Sequence, residues 1–75
     1  MGTSSEFAQR LRRLRTMTGF TATSFAEYAC IRPCTYYCWE RGDHMPREEN
    51  IRRILRCLGN LSGRRIGREE LVGDG

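Results

Sequence analysis

Residues 21–42, TATSFAEYACIRPCTYYCWERG, decide how the rest of the chain is read. Thr21 has the side chain of an N-cap, and Phe25, Ala26 and Ala29 recur behind it at helical spacing. This short helix ends at Ile31-Arg32-Pro33. A residue before proline is pushed out of the helical region, whereas proline suits the first position of a new helix. Arg32 therefore stands where an N-cap belongs, and a further helix is expected from Pro33 onward. Within it Tyr36 and Trp39, three apart, share one face, and Gly42 stops it. The stretch predicts two short helices joined by a tight break.

Working outward toward the N-terminus, Thr3 and Glu6 have the spacing of a capping box. Phe7, Leu11, Leu14 and Met17 follow as an apolar stripe, with Arg10, Arg12 and Arg13 between them, and Gly19 closes this first helix. Toward the C-terminus, Asp43-His44-Met45 reads as a loop and Pro46 as the opening of a fourth helix. Glu48 and Glu49 in its first turn and Arg52, Arg53 and Arg56 later complement the helix dipole. Its inward stripe is Ile51, Ile54, Leu55 and Leu58, with Gly59 as terminator. Residues 60–75 contain glycines at 63, 67, 73 and 75 and one weak helical stretch from Ile66 to Leu71. There is no strand-like alternation and no repeat. The expected fold is all-α, a compact bundle of four to five helices.

The 75 residues allow one domain, and 39% hydrophobic with 29% charged residues is the balance of an ordinary soluble globular protein. No apolar run approaches the roughly 18 residues of a membrane span. The first six residues lack the basic start and apolar run of a signal peptide, so a cytoplasmic location is expected. All thirteen basic residues are arginine, and the net charge of +4 favours an anionic partner mildly.

Two short helices crossing steeply form a helix-turn-helix, whose second helix can enter a DNA major groove. The sequence resembles the Xre/Cro-type helix-turn-helix family of bacterial and phage transcriptional regulators. The resemblance is carried by Arg10-Leu11-Arg12-Arg13-Leu14-Arg15, Phe25-Ala26-Glu27 and Trp39-Glu40-Arg41-Gly42, with Pro46 and Leu58-Gly59 where the fourth helix of the family opens and closes. It covers residues 7–59 and implies a lambda-repressor-like bundle. By position it implies a core of Leu11, Leu14, Phe25, Ala26, Ile31, Tyr36, Trp39, Ile51, Ile54, Leu55 and Leu58. It also implies an ion pair between Arg15 and Glu40 that ties helix one to the end of helix three.

The chain departs from its relatives at the positions that would face DNA. Ala22 stands where a phosphate-clamping glutamine is common, leaving Thr21, Thr23 and nearby helix amides for the backbone. Cys30 stands at the turn position usually filled by glycine, where a positive φ would strain it. The base-reading positions fall on Arg32, Pro33, Cys34, Tyr37 and Cys38. Arg32 suits guanine, Tyr37 a base or phosphate, and Pro33 and the two cysteines suit apolar contact such as a thymine methyl. Arg41 and Arg47 are the backbone candidates that flank the following loop. Residues 1–19 carry four arginines and one glutamate, a net +3, whereas residues 20–42 carry two of each sign. The surplus charge thus lies outside the reading unit, and the neutral unit leaves open an alternative use of the fold for protein–protein contact.

Cys30, Cys34 and Cys38 recur every four residues across Pro33. A bridge within one helical turn is strained, and C-x₃-C with His44 is not a usual zinc pattern. The readings left are small tolerated residues, with Cys57 filling core space, or thiols whose oxidation blocks DNA. No catalytic constellation is present, and no metal or cofactor is expected. The leading expectation is a repressor-like regulator that binds double-stranded DNA as a homodimer. Residues 1–59 would form the DNA-binding domain, and residues 60–75 a short tail offering Leu61, Ile66, Leu71 and Val72 as a dimer contact.

Overall fold

The structure, a computed structural model, describes residues 4–73. Five helices follow one another: α1 (Ser4–Thr18), α2 (Ala22–Tyr28), α3 (Pro33–Arg41), α4 (Glu48–Ser62) and α5 (Arg68–Leu71). No strand occurs among the described residues, and none of these helices is long and apolar enough to cross a membrane. Thr3, the expected cap of α1, lies outside the described residues.

One core unites all five helices. Phe7, Leu11 and Leu14 of α1 meet Phe25 and Ala26 of α2, Tyr36 and Trp39 of α3, and Ile51, Ile54 and Leu58 of α4. Phe25 and Tyr36 pack ring against ring at 5.5 Å, and Tyr36 meets Trp39 edge-on at 6.1 Å. The aromatic cluster thereby binds α2 and α3 into one unit. Cys57 is buried in the same core, as expected of a small apolar filler, and Leu55 is only half-buried at its rim.

Several boundaries and faces differ from the reading of the sequence. Met17 is 55% exposed instead of continuing the α1 stripe. The line through Phe7, Leu11 and Leu14 continues to Thr18, and Met17 stands about 100° away from Thr18 around the helix. Pro46 is buried in the loop and does not open α4; extended Arg47 is the N-cap, and the helix begins at Glu48. Gly59 does not end α4. The helix runs through it to Ser62 and stops at Gly63, which adopts the left-handed conformation. An internal glycine costs about 1 kcal/mol, and the extra turn offsets this by laying Leu61 against the core. The smallness of Gly59 also has a use, since the Arg64 carbonyl passes 3.4 Å from where a Cβ would stand.

Residues 60–73 are therefore part of the globule. Ile66 and Leu71 are buried in the common core, and Leu61 and Val72 pack half-buried against it. Arg10 on α1 donates to the Val72 carbonyl at 3.3 Å, and Arg68 on α5 pairs with Glu48 on α4 at 2.8 Å. The division drawn between residues 59 and 60 falls inside α4.

Candidate functional site

The geometry of the α2–α3 unit starts from its turn. Thr21 is extended at φ −74°, and its hydroxyl accepts the Ser24 amide at 3.1 Å, so α2 begins on its own side chain. At the other end the Cys30 amide donates to the Glu27 carbonyl at 3.1 Å and the Ile31 amide to the Ala26 carbonyl at 2.8 Å. This closure requires a left-handed residue, and Cys30 supplies it at φ +60°, at a cost of about 1–2 kcal/mol. Ile31 is then buried over α2, Arg32 turns extended at ψ 130°, and Pro33 opens α3. The end of α3 repeats the closure with a residue suited to it. Gly42 sits at φ +84°, and the Asp43 amide donates to the Cys38 carbonyl at 2.9 Å.

With Tyr36, Trp39 and Glu40 buried, α3 turns Cys34, Thr35, Tyr37, Cys38 and Arg41 outward. Cys34 is exposed, Tyr37 is 39% exposed and Cys38 is half-buried. The Tyr37 hydroxyl is hydrogen-bonded to the Thr23 hydroxyl, which links the outer face of α3 to the first turn of α2. Arg32 is exposed at one end of this face, while Pro33 is half-buried. Thr35 shares the surface, although sequence reasoning passed over it. Its signal was its place three residues before Cys38, on the same side of the helix.

The two backbone candidates near the following loop differ. Arg41 is tied down: its Nε donates to Asp43 Oδ2 at 3.0 Å, and its Nη2 lies 2.9 Å from the same oxygen and 3.7 Å from Cys38 Sγ. Asp43 raises the Arg41 pKa through that hydrogen bond. Arg47 is exposed and, among the described residues, makes neither hydrogen bond nor salt bridge with its guanidinium; the same holds for Arg32 and Arg13. Arg12 instead donates to the Glu40 carbonyl at 3.1 Å, and Arg53 to the Cys30 carbonyl at 3.4 Å. Both cross to the helix-turn-helix unit to bond backbone carbonyls there.

Beneath the unit, Arg15 Nε donates to Glu40 Oε2 at 2.6 Å and Nη2 to Oε1 at 3.3 Å. The Tyr36 hydroxyl also donates to Glu40 Oε2, at 2.6 Å, and Arg15 Nη1 to the Phe20 carbonyl at 2.8 Å. Among the described residues Glu40 is the one buried charged residue, and no buried side-chain polar atom lacks a partner. The hydrogen bond to Glu40 raises the Arg15 pKa, and burial followed by the bond to Glu40 raises that of Tyr36.

The four thiols are free. Cys30 and Cys34 face solvent, whereas burial pushes the Cys57 thiol pKa up. Among the described residues no group of three or more His, Cys, Asp and Glu side chains comes together to hold a metal ion, and His44 is exposed in its loop.

The molecule thus carries a short helix, held by an aromatic core and a buried ion pair, whose outer face exposes Cys34, Thr35 and Tyr37. A family model described as a helix-turn-helix domain matches residues 6–70. No curated protein and no solved structure matches the chain. The family match spans most of the molecule, from the first turn of α1 into α5, and takes in the turn, the exposed helix and the tail alike. The chain belongs to the helix-turn-helix domain family, a membership consistent with the Xre-type resemblance and, at a coarse level, with a DNA-binding regulator.

Proposed function

We propose that the protein is a sequence-specific, repressor-like regulator that lays the outer face of α3 in the major groove of double-stranded DNA. The observation that carries this reading is the union of an exposed α3 with a buried frame that fixes its orientation. In this reading Arg32, Pro33, Cys34, Tyr37 and Cys38 face the base edges. Thr21, Thr23 and Arg47 approach the phosphates, and Arg41 joins them if it leaves Asp43. The neutral charge of residues 20–42 assigns most of the affinity to arginines outside α3.

The reading includes a dimer. The nine residues of α3 extend about 13 Å and cover roughly four base pairs at 3.4 Å each. A sequence so short recurs too often to mark one site. A second copy, with its α3 one helical turn away at about 34 Å, supplies the missing length. Since Ile66 and Leu71 are turned inward, a contact through the tail would use the outer edges of Leu61 and Val72.

A second reading, docking of the same face onto a protein, is favoured by its neutrality and by exposed Tyr37. Titration of random-sequence duplex DNA across a salt series separates the two. DNA binding that weakens steeply as salt rises supports the first reading. Its absence at low salt, or a salt-independent affinity, overturns it.

A further inference from the structure

Few polar groups on the outer face of α3 are left for a ligand. The Tyr37 hydroxyl is engaged by Thr23, the Arg41 guanidinium is held by Asp43, and the Cys38 thiol lies against that same guanidinium. Glu40 is buried beneath Arg15 and Tyr36. What α3 offers outward is the sulfur of Cys34, the ring of Tyr37, the edge of Cys38, the methyl and hydroxyl of Thr35, and the Pro33 ring. Arg32 stands at one end as the one unengaged cation of residues 20–42.

Each base has a preferred partner in the major groove, and most of those partners are missing here. Adenine is read by Asn or Gln, and cytosine N4 by Asp or Glu. Residues 32–41 contain no Asn, Gln or Asp, and their single acid is Glu40, which is buried. Guanine is read by Arg, which Arg32 provides at one position. The exposed Thr35 hydroxyl can meet any base and so discriminates little, whereas apolar packing on the 5-methyl group of a pyrimidine fits Cys34, Tyr37 and Cys38, which lie at i, i+3 and i+4 on one stripe. Base acceptors placed against this stripe without a partner would lose their water and gain nothing in return.

We propose that α3 recognises 5-methylpyrimidines: Cys34, Tyr37 and Cys38 pack on thymine methyl groups, and Arg32 adds one guanine at the end of the half-site. This rests on the DNA-binding reading and specifies the chemistry that reading leaves open. The linked Thr23 and Tyr37 hydroxyls serve recognition indirectly, because the link ties the Tyr37 side chain to α2 and engages a polar group that would favour other bases.

The test uses the full chain and random-sequence duplexes of one length, synthesised with either thymidine or deoxyuridine. Uracil pairs as thymine does and lacks only the methyl. Binding should weaken about 4-fold for each contacted methyl that is lost, or roughly 15-fold for two. In the sequence selected from the thymidine pool, replacing a contacted thymine by cytosine should weaken binding. Replacing it by 5-methylcytosine, which restores the methyl over a changed hydrogen-bonding edge, should recover most of the loss. Cys34→Ser, at an exposed position that the core does not need, should lower the thymidine-to-deoxyuridine ratio by about 4-fold, the share of one methyl contact. Equal affinity for the selected sequence in its thymidine and deoxyuridine forms, or no recovery with 5-methylcytosine, overturns methyl recognition while leaving DNA binding in place. Binding to neither pool at low salt overturns both.

Discussion

Arg15 on α1 and Glu40 near the end of α3 meet through two hydrogen bonds, and the Tyr36 hydroxyl places a third on the same carboxylate. The three groups join the first helix to the helix that faces outward, so the position of α3 depends on a charge held almost out of water. Removing one partner of a buried pair strands the other. Arg15→Ala and Glu40→Ala should each lower the unfolding free energy by about 3–5 kcal/mol, measured by denaturant titration. Replacing both partners together by methionine and leucine should cost much less than the two single changes combined. Additive losses would show that the pair does not act as a unit.

Tyr36 gives the fold an alkaline limit. Burial, reinforced by donation to Glu40, holds its phenol protonated well above the ordinary value of 10.0. The folded state then keeps a proton that the unfolded chain releases. This contribution is complete below pH about 10 and is lost above it, at about 1.4 kcal/mol per pH unit. Unfolding midpoints measured between pH 8 and 11 should be level at first and then fall. A flat profile to pH 11 would contradict the burial of this hydroxyl.

Cys30 occupies a left-handed position without being glycine. Cys30→Gly removes the strain on Cβ but gives the unfolded chain more freedom, so a net gain of about 0.5–1 kcal/mol is expected. Cys30→Val, branched at Cβ, should instead destabilise. Thermal melts of the two variants beside the parent chain decide the order.

The thiols should react in sequence of exposure. Cys34 and Cys30 should be alkylated first, Cys38 more slowly and Cys57 only on unfolding, as followed by mass spectrometry. Alkylation confined to Cys34 should abolish DNA binding and leave the circular dichroism spectrum unchanged. Retention of full DNA affinity by the Cys34-alkylated protein would remove this face from the interface.

Arg41 and Arg47 should respond in opposite ways to changes around them. Arg47→Ala should weaken binding to all duplexes alike and reduce the slope of log affinity against log salt by about 0.9. Asp43→Asn releases Arg41 and should tighten binding, with a steeper slope. An unchanged slope in both variants would mean that neither arginine meets a phosphate.

Local chemistry within a few residues was enough to establish the central unit. The Thr21 cap, the break at Pro33 and the stop at Gly42 all act through the φ of one residue or a bond to a near neighbour. Those rules hold wherever the segment is placed, so α2 and α3 were legible before any packing was known. The left-handed turn at Cys30 was legible too, through the family resemblance. The resemblance also supplied the Arg15–Glu40 pair, which spacing alone does not reveal because 25 residues separate the partners.

What only the tertiary structure decided lies where distant segments compete for the same surface. Gly59 reads as a terminator, yet Leu61 gains enough by packing to carry α4 past it. The tail reads as spare apolar surface, yet Ile66 and Leu71 complete the core beside α1. The arginines are identical on paper, and the fold sorts them into those spent on Glu40, Asp43, Glu48 and Glu70 and those, such as Arg32 and Arg47, left for a partner. A sequence specifies which side chains carry charge; which charges stay available depends on the neighbours that folding brings within hydrogen-bonding reach.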